Sequence, residues 1–209
     1  CYILADTFFV SKALGTNGLT ALKLAIPVYS FIHGTGLMLG IGGATRYSVL
    51  KSKKDDNANG IFVNTVFLAG IFAILYFFIG IFLSGSLTRV LGADNTVFEM
   101  TNTYLKVILL FAPFFIMNNV LICFVRNDGN PNLSMLAMLG GSLSNIVLDY
   151  VFMFPLKMGI FGAVFATGLA PIISMIILSS HFRKKQNTFH FVKSKPSLKI
   201  SGTTMALGF

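Results

Sequence analysis

Two carboxylates in this chain stand where a carboxylate is costly. Asp6 and Asp149 lie inside the apolar runs Leu4-Ala5-Asp6-Thr7-Phe8 and Val147-Leu148-Asp149-Tyr150-Val151. An acid at such depth is usually protonated, paired or bound to a cation. The other five acidic residues, Asp55, Asp56, Asp94, Glu99 and Asp128, fall in loops or at helix ends, where solvation or capping is the ordinary role. Counting about 1.5 Å per residue from the outer ends of their helices puts Asp6 and Asp149 roughly 9 Å below one surface. Thr167 falls at nearly the same level, and Asn145 sits one turn before Asp149 on the same helix face. Two carboxylates, an amide and a hydroxyl thus converge. Lys106, near one helix end, is the nearest basic candidate. Oxygens without a firmly placed basic partner suit a proton or a hard cation such as Na+, and adjacent carboxylates at low dielectric repel unless one is neutralised. The bland alternative is a pair of protonated or amide-bonded acids that only fix helix packing.

Other polar residues carry weaker signals. Asn118 and Asn119 sit mid-helix, where they line a cavity or bond between helices. His33 lies on a glycine-rich helix and reads better as a packing residue than as a proton relay. His181 and His190 flank a basic tail and read as interface residues. Cys1 and Cys123 lack metal-ligand spacing and read as small buried hydrophobes. Gly34-Thr35-Gly36 imitates a dinucleotide loop, but no strand precedes it. With no HExxH, P-loop, nucleophile elbow or CxxC, an enzyme reading has no support, and no cofactor is expected beyond H+ or Na+ as a coupling ion. A metal site is expected only as Na+ on Asp6, Asn145, Asp149 and Thr167.

These residues must be held by membrane-spanning elements. The chain is 55% hydrophobic and 11% charged, where a soluble domain is about one-quarter charged. Its net charge of +9 sits between apolar runs, not along one polar face, which favours membrane topology over nucleic-acid binding. Helices are expected at about 1–13, 24–48, 60–83, 102–125, 133–154 and 159–182, the first too short to span about 30 Å of hydrocarbon. The chain opens and closes inside apolar runs, so it reads as a segment cut at both ends. Eleven Lys and Arg (Arg46, Lys51, Lys53, Lys54, Arg126, Arg183, Lys184, Lys185, Lys193, Lys195, Lys199) cluster on one side, against Lys12, Lys23, Arg89, Lys106 and Lys157 on the other. This bias puts the 49–59 and 126–132 loops and the tail in the cytoplasm. Gly36, Gly40, Ala44 and Ser48 form a small-residue stripe for close helix packing. Pro27, Pro113 and Pro171 can kink their helices. A weak internal repeat pairs Asp6, Gly15, Gly18 and Pro27 with Asp149, Gly159, Gly162 and Pro171.

Five segments in order carry a resemblance: Asp6-Thr7-Phe8-Phe9-Val10, Gly40-Ile41-Gly42-Gly43-Ala44, Arg126-Asn127-Asp128-Gly129-Asn130-Pro131, Asn145-Ile146-Val147-Leu148-Asp149 and Gly162-Ala163-Val164-Phe165-Ala166-Thr167. The chain resembles MATE (multidrug and toxic compound extrusion) transporters, in particular a bacterial multidrug-exporter branch. That resemblance implies an all-α membrane protein whose residues 1–183 form a six-transmembrane-helix bundle, its first helix truncated. This bundle would be the amino-terminal lobe of a twelve-helix, two-lobe transporter. Residues 184–202 would be a basic cytoplasmic linker and 203–209 the start of the seventh helix. The resemblance further implies a monomer in the bacterial cytoplasmic membrane, surrounded by lipid and completed by a carboxy-terminal lobe. Such a transporter exports small amphipathic, often cationic, drug-like compounds by antiport with H+ or Na+. The family's coupling residues match Asp6, Asn145, Asp149 and Thr167, and its cavity-lining positions match Tyr2, Tyr104 and Asn119. Two other readings predict different observations. A lipid-linked oligosaccharide flippase requires basic residues in the cavity, and a non-transporting scaffold tolerates loss of both aspartates.

Overall fold

The computed structural model describes residues 2–55, 57–192 and 198–208, and every regular element among them is an α-helix. In order these are α1 (Tyr2–Ser52), α2 (Ala58–Phe82), α3 (Ser84–Val90), α4 (Phe98–Leu110), α5 (Ala112–Asn127), α6 (Pro131–Met153), α7 (Gly159–Arg183) and α8 (Leu198–Gly208). Helices α1, α2, α6 and α7 are each long and apolar enough to cross a membrane, and α4 with α5 makes a fifth span bent by 48°. Large apolar side chains are exposed in rows at helical spacing: Phe67, Ile71, Ile74, Phe78 and Phe82 on α2, and Leu136, Leu139, Leu143 and Val147 on α6. Stripes of this size are stable only against lipid or another apolar surface. The chain is an all-α, multi-pass membrane protein.

Three boundaries differ from the sequence expectation, each for a local reason. The outer loop expected over 14–23 is absent. Gly15, at φ 65° and ψ −153°, makes the whole break in one residue, and helix resumes at once within α1. Only glycine takes that backbone conformation without strain. The span expected over 102–125 starts earlier, at Phe98, and is two helices. Pro113 has no N–H to give to Leu109, so the ladder stops and restarts on the Phe111 carbonyl, which accepts from Phe114 N at 3.0 Å. Finally, α8 begins at Leu198, inside the stretch expected as a tether; residues 193–197 of that stretch lie outside the described residues.

The small-residue stripe seats α1 on α5. A Cβ at Gly40 would fall 2.9 Å from the Asn119 carbonyl oxygen, and one at Gly36 would fall 3.0 Å from Ile116 Cα. Glycine there lets two backbones approach at a distance no larger residue allows. The internal repeat has a backbone counterpart, since Gly159, the partner of Gly15, also has positive φ, at 59°.

At the end of the bundle formed by Ser52, Asn127 and Arg183, the expected solvated tether is instead docked. Phe189 is buried, its ring 4.7 Å from Phe62, 5.5 Å from Phe124 and 6.1 Å from Tyr47. Beside it Asp128, expected to be solvated, has a fully buried side chain. One oxygen accepts from Lys51 Nζ at 3.0 Å and from the Thr188 hydroxyl; the other accepts from His181 Nε2 and Thr188 N, at 3.0 and 2.8 Å. Burial alone would raise this carboxyl, but the bonds from Thr188, His181 and Lys51 outweigh it and hold Asp128 below its ordinary range. His181 is likewise a buried residue rather than an interfacial one.

Candidate functional site

The four oxygen-bearing residues singled out by depth come from three helices and meet in one buried cluster. The first segment of α1 brings Asp6, α6 brings Asn145 and Asp149 one turn apart, and α7 brings Thr167. All four are at most 4% exposed. Asn145 Nδ2 donates to Thr167 Oγ1 at 3.4 Å, and Thr167 in turn donates to the Ala163 carbonyl at 3.0 Å. Because the hydroxyl proton is spent on that carbonyl, Thr167 must accept from the amide, and this fixes the orientation of Asn145. Tyr104, from α4, donates to Asp6 Oδ2 at 3.4 Å and lies within reach of Thr167. Asp6 and Asp149 are near enough to act on each other electrostatically.

The notable feature is what these groups lack. Among the described residues, Asp6 Oδ1, both oxygens of Asp149 and Asn145 Oδ1 are buried without a hydrogen-bond partner. The only salt bridges among those residues belong to Asp128. Lys106 is exposed and pairs with neither acid. A buried carboxylate with no donor is neutralised by a proton or bound to a cation, since the desolvation of a bare charge costs on the order of several kcal/mol. The cluster therefore has the chemistry of a proton or hard-cation site, with oxygen ligands only.

A cavity of about 170 Å³ adjoins this cluster, sharing Asn145 and Thr167 with it. Asn118 and Asn119, expected mid-helix, both line it, together with His33, Ser142 and Ser174. Asn119 Nδ2 donates to the His33 carbonyl at 3.4 Å and to His33 Nδ1 at 3.1 Å, so His33 serves as a packing partner, stacked on Tyr29. Asn118 Oδ1 and Ser174 Oγ are buried without partners among the described residues. Tyr104 sits in the carboxylate cluster instead of the cavity wall, and the side chain of Tyr2 lies outside the described residues. Ser174 was not singled out from the sequence, although its spacing of seven from Thr167, two helical turns, was a usable signal.

The MatE family profile matches residues 1–151. The multidrug export protein MepA of Staphylococcus saprophyticus is 28% identical over 212 residues, covering 100% of this chain and 47% of MepA. A MATE crystallised in complex with MaL6 superposes with a TM-score of 0.90 at 31% identity, covering 99% of this chain and 47% of that one. The inward-facing form of a multidrug resistance MATE transporter of the MOP superfamily gives 0.88 at 30% identity, over 99% and 48% of the two chains. The chain thus spans about half the length of the relatives it matches.

Proposed function

The chain belongs to the MatE family of membrane transporters, and from that premise we propose that it is the amino-terminal lobe of a secondary active multidrug exporter driven by inward flow of H+ or Na+. The observation that carries this reading is the buried pair Asp6 and Asp149, facing Asn145 and Thr167 with acceptor atoms unpaired. Such a site binds a cation when substrate is absent and must be vacated or neutralised in a cycle, which is the elementary requirement of antiport. Exported compounds are small, amphipathic and often cationic. The second lobe closes the cavity, and the protein acts as a monomer in the bacterial cytoplasmic membrane, with the Ser52, Asn127 and Arg183 helix ends in the cytoplasm. The lining of the cavity includes no Lys or Arg among the described residues, which gives a lipid-linked pyrophosphate no counter-charge.

The test uses the full-length protein in vesicles, following efflux of a fluorescent cationic dye under imposed H+ and Na+ gradients. Asp149→Asn is expected to lower gradient-driven efflux by more than tenfold, and Asp6→Asn to lower it comparably. Efflux that ignores both gradients and both substitutions would sink the reading.

A further inference from the structure

The cavity and the buried Asp128 cluster lie on one line. Along α7, Thr167, Ser174, Leu178 and His181 are spaced by seven, four and three residues, so they share a face. Ser174, Leu178 and His181 are all at most 2% exposed. From Thr167 to Ser174 the polar wall descends about 10 Å at about 1.5 Å per residue. It carries unpaired acceptors throughout: Asn145 Oδ1 above, Asn118 Oδ1 and Ser174 Oγ below. The cavity volume of about 170 Å³ has room for about five water molecules at roughly 30 Å³ each. Below it comes a single apolar layer, Leu178 on α7 and Ala137 on α6, both fully buried. Beyond that layer is His181.

The protonation state of His181 follows from its neighbours. Asn130 caps α6, its Oδ1 accepting from Leu133 N at 3.2 Å, so its Nδ2 is the atom that faces His181 Nδ1 at 3.4 Å. An amide N–H can only donate; Nδ1 therefore accepts, and the imidazole proton sits on Nε2, bonded to Asp128 Oδ2. This is a neutral imidazole with a basic nitrogen weakly engaged and a carboxylate behind it, ready to stabilise the imidazolium. The charged groups around it are Asp128, from the α5–α6 connection, and Lys51, from α1, which shares that carboxylate. Arg126 at the end of α5 is turned toward Cys123.

We propose that the polar wall from Asn145 to Ser174 and the His181–Asp128 pair form the inward release path of the coupling proton, with the Leu178 layer as its gate. This rests on the coupling role of Asp6 and Asp149 given above. The proton leaves a carboxyl oxygen of that pair and passes along water at Asn145, Asn118 and Ser174. It forms the second N–H bond of His181, and then leaves to the cytoplasm, restoring the neutral ring. Protonated His181 loses its bond from Asn130, which favours onward release.

Full-length protein in proteoliposomes, carrying a trapped pH dye, tests the path. Leu178→Ala should raise substrate-independent proton entry several-fold, while Leu178→Met, which keeps the volume, should not. His181→Gln should slow proton-driven efflux about tenfold, with dye binding to the detergent-purified protein unchanged and no effect on any Na+-driven efflux. Parental rates for both His181→Gln and Leu178→Ala, alongside loss of coupling in Asp149→Asn, would overturn the path and leave the coupling site standing. Intact coupling in Asp149→Asn would remove both. A protein driven by Na+ alone also overturns it.

Discussion

At the scale of single residues, the molecule holds two kinds of buried acid, and their surroundings assign them opposite roles. Asp6 and Asp149 have acceptor atoms without donors, while Asp128 has donors from three separate parts of the fold. A carboxylate satisfied in this way is structural, and it makes a specific pH prediction. Because the folded state holds Asp128 below its ordinary range, its stabilisation is complete above the unfolded carboxylate value of about 3.9 and is lost as pH falls through the lower folded value. The described chain contains no Trp, so Phe189→Trp reports locally on the docked segment. Its emission should stay blue at neutral pH and shift red only below about pH 4. Adding Asp128→Asn should shift it red at neutral pH, at a cost of about 1–3 kcal/mol for unmade hydrogen bonds. Asp6 and Asp149 were legible in the sequence because a charge inside an apolar run is rare for any structural purpose. Asp128 was not, because its neighbour Gly129 and the polar residues around it read as an ordinary loop. Its partners Lys51, His181 and Thr188 are 77, 53 and 60 residues away.

At the scale of elements, two prolines and two glycines decide where helices stop, and a third kind of position decides how they pack. Pro113 splits one span into α4 and α5, whereas α1 and α7 continue through Pro27 and Pro171. The sequence identified all three as possible kinks and could not rank them, because the outcome depends on which neighbouring groups take up the freed carbonyl. The glycines of α1 and α2 also differ by context. Gly40 approaches the α5 backbone, while a Cβ at Gly70 would meet nothing within 4 Å. Gly40→Ala should therefore destabilise the lobe by about 1–3 kcal/mol through overpacking. Gly70→Ala should be neutral or stabilise it by up to about 1 kcal/mol through helix propensity. Thermal unfolding in detergent measures both, and equal losses from the two would contradict the packing described.

At the scale of the whole molecule, the positions of basic residues make a topological prediction. Lys54→Cys should react with a membrane-impermeant maleimide only from the cytoplasmic side and Asn95→Cys only from the opposite side. Cys123 is buried and should remain silent. The reverse pattern would invert the orientation and with it the direction of the proposed proton path. The sequence by itself determined the membrane class, the helical spans to within several residues, and the two acids with Asn145 and Thr167. Those follow from local physics, since hydrocarbon thickness sets span length and burial makes a charge conspicuous. Only the tertiary structure decided that the tail is docked through Phe189, that Ser174 joins the polar wall, and that Asp6 and Asp149 face each other with acceptor atoms unpaired. These depend on which donor reaches which acceptor across long sequence separations, and no local pattern along the chain encodes that.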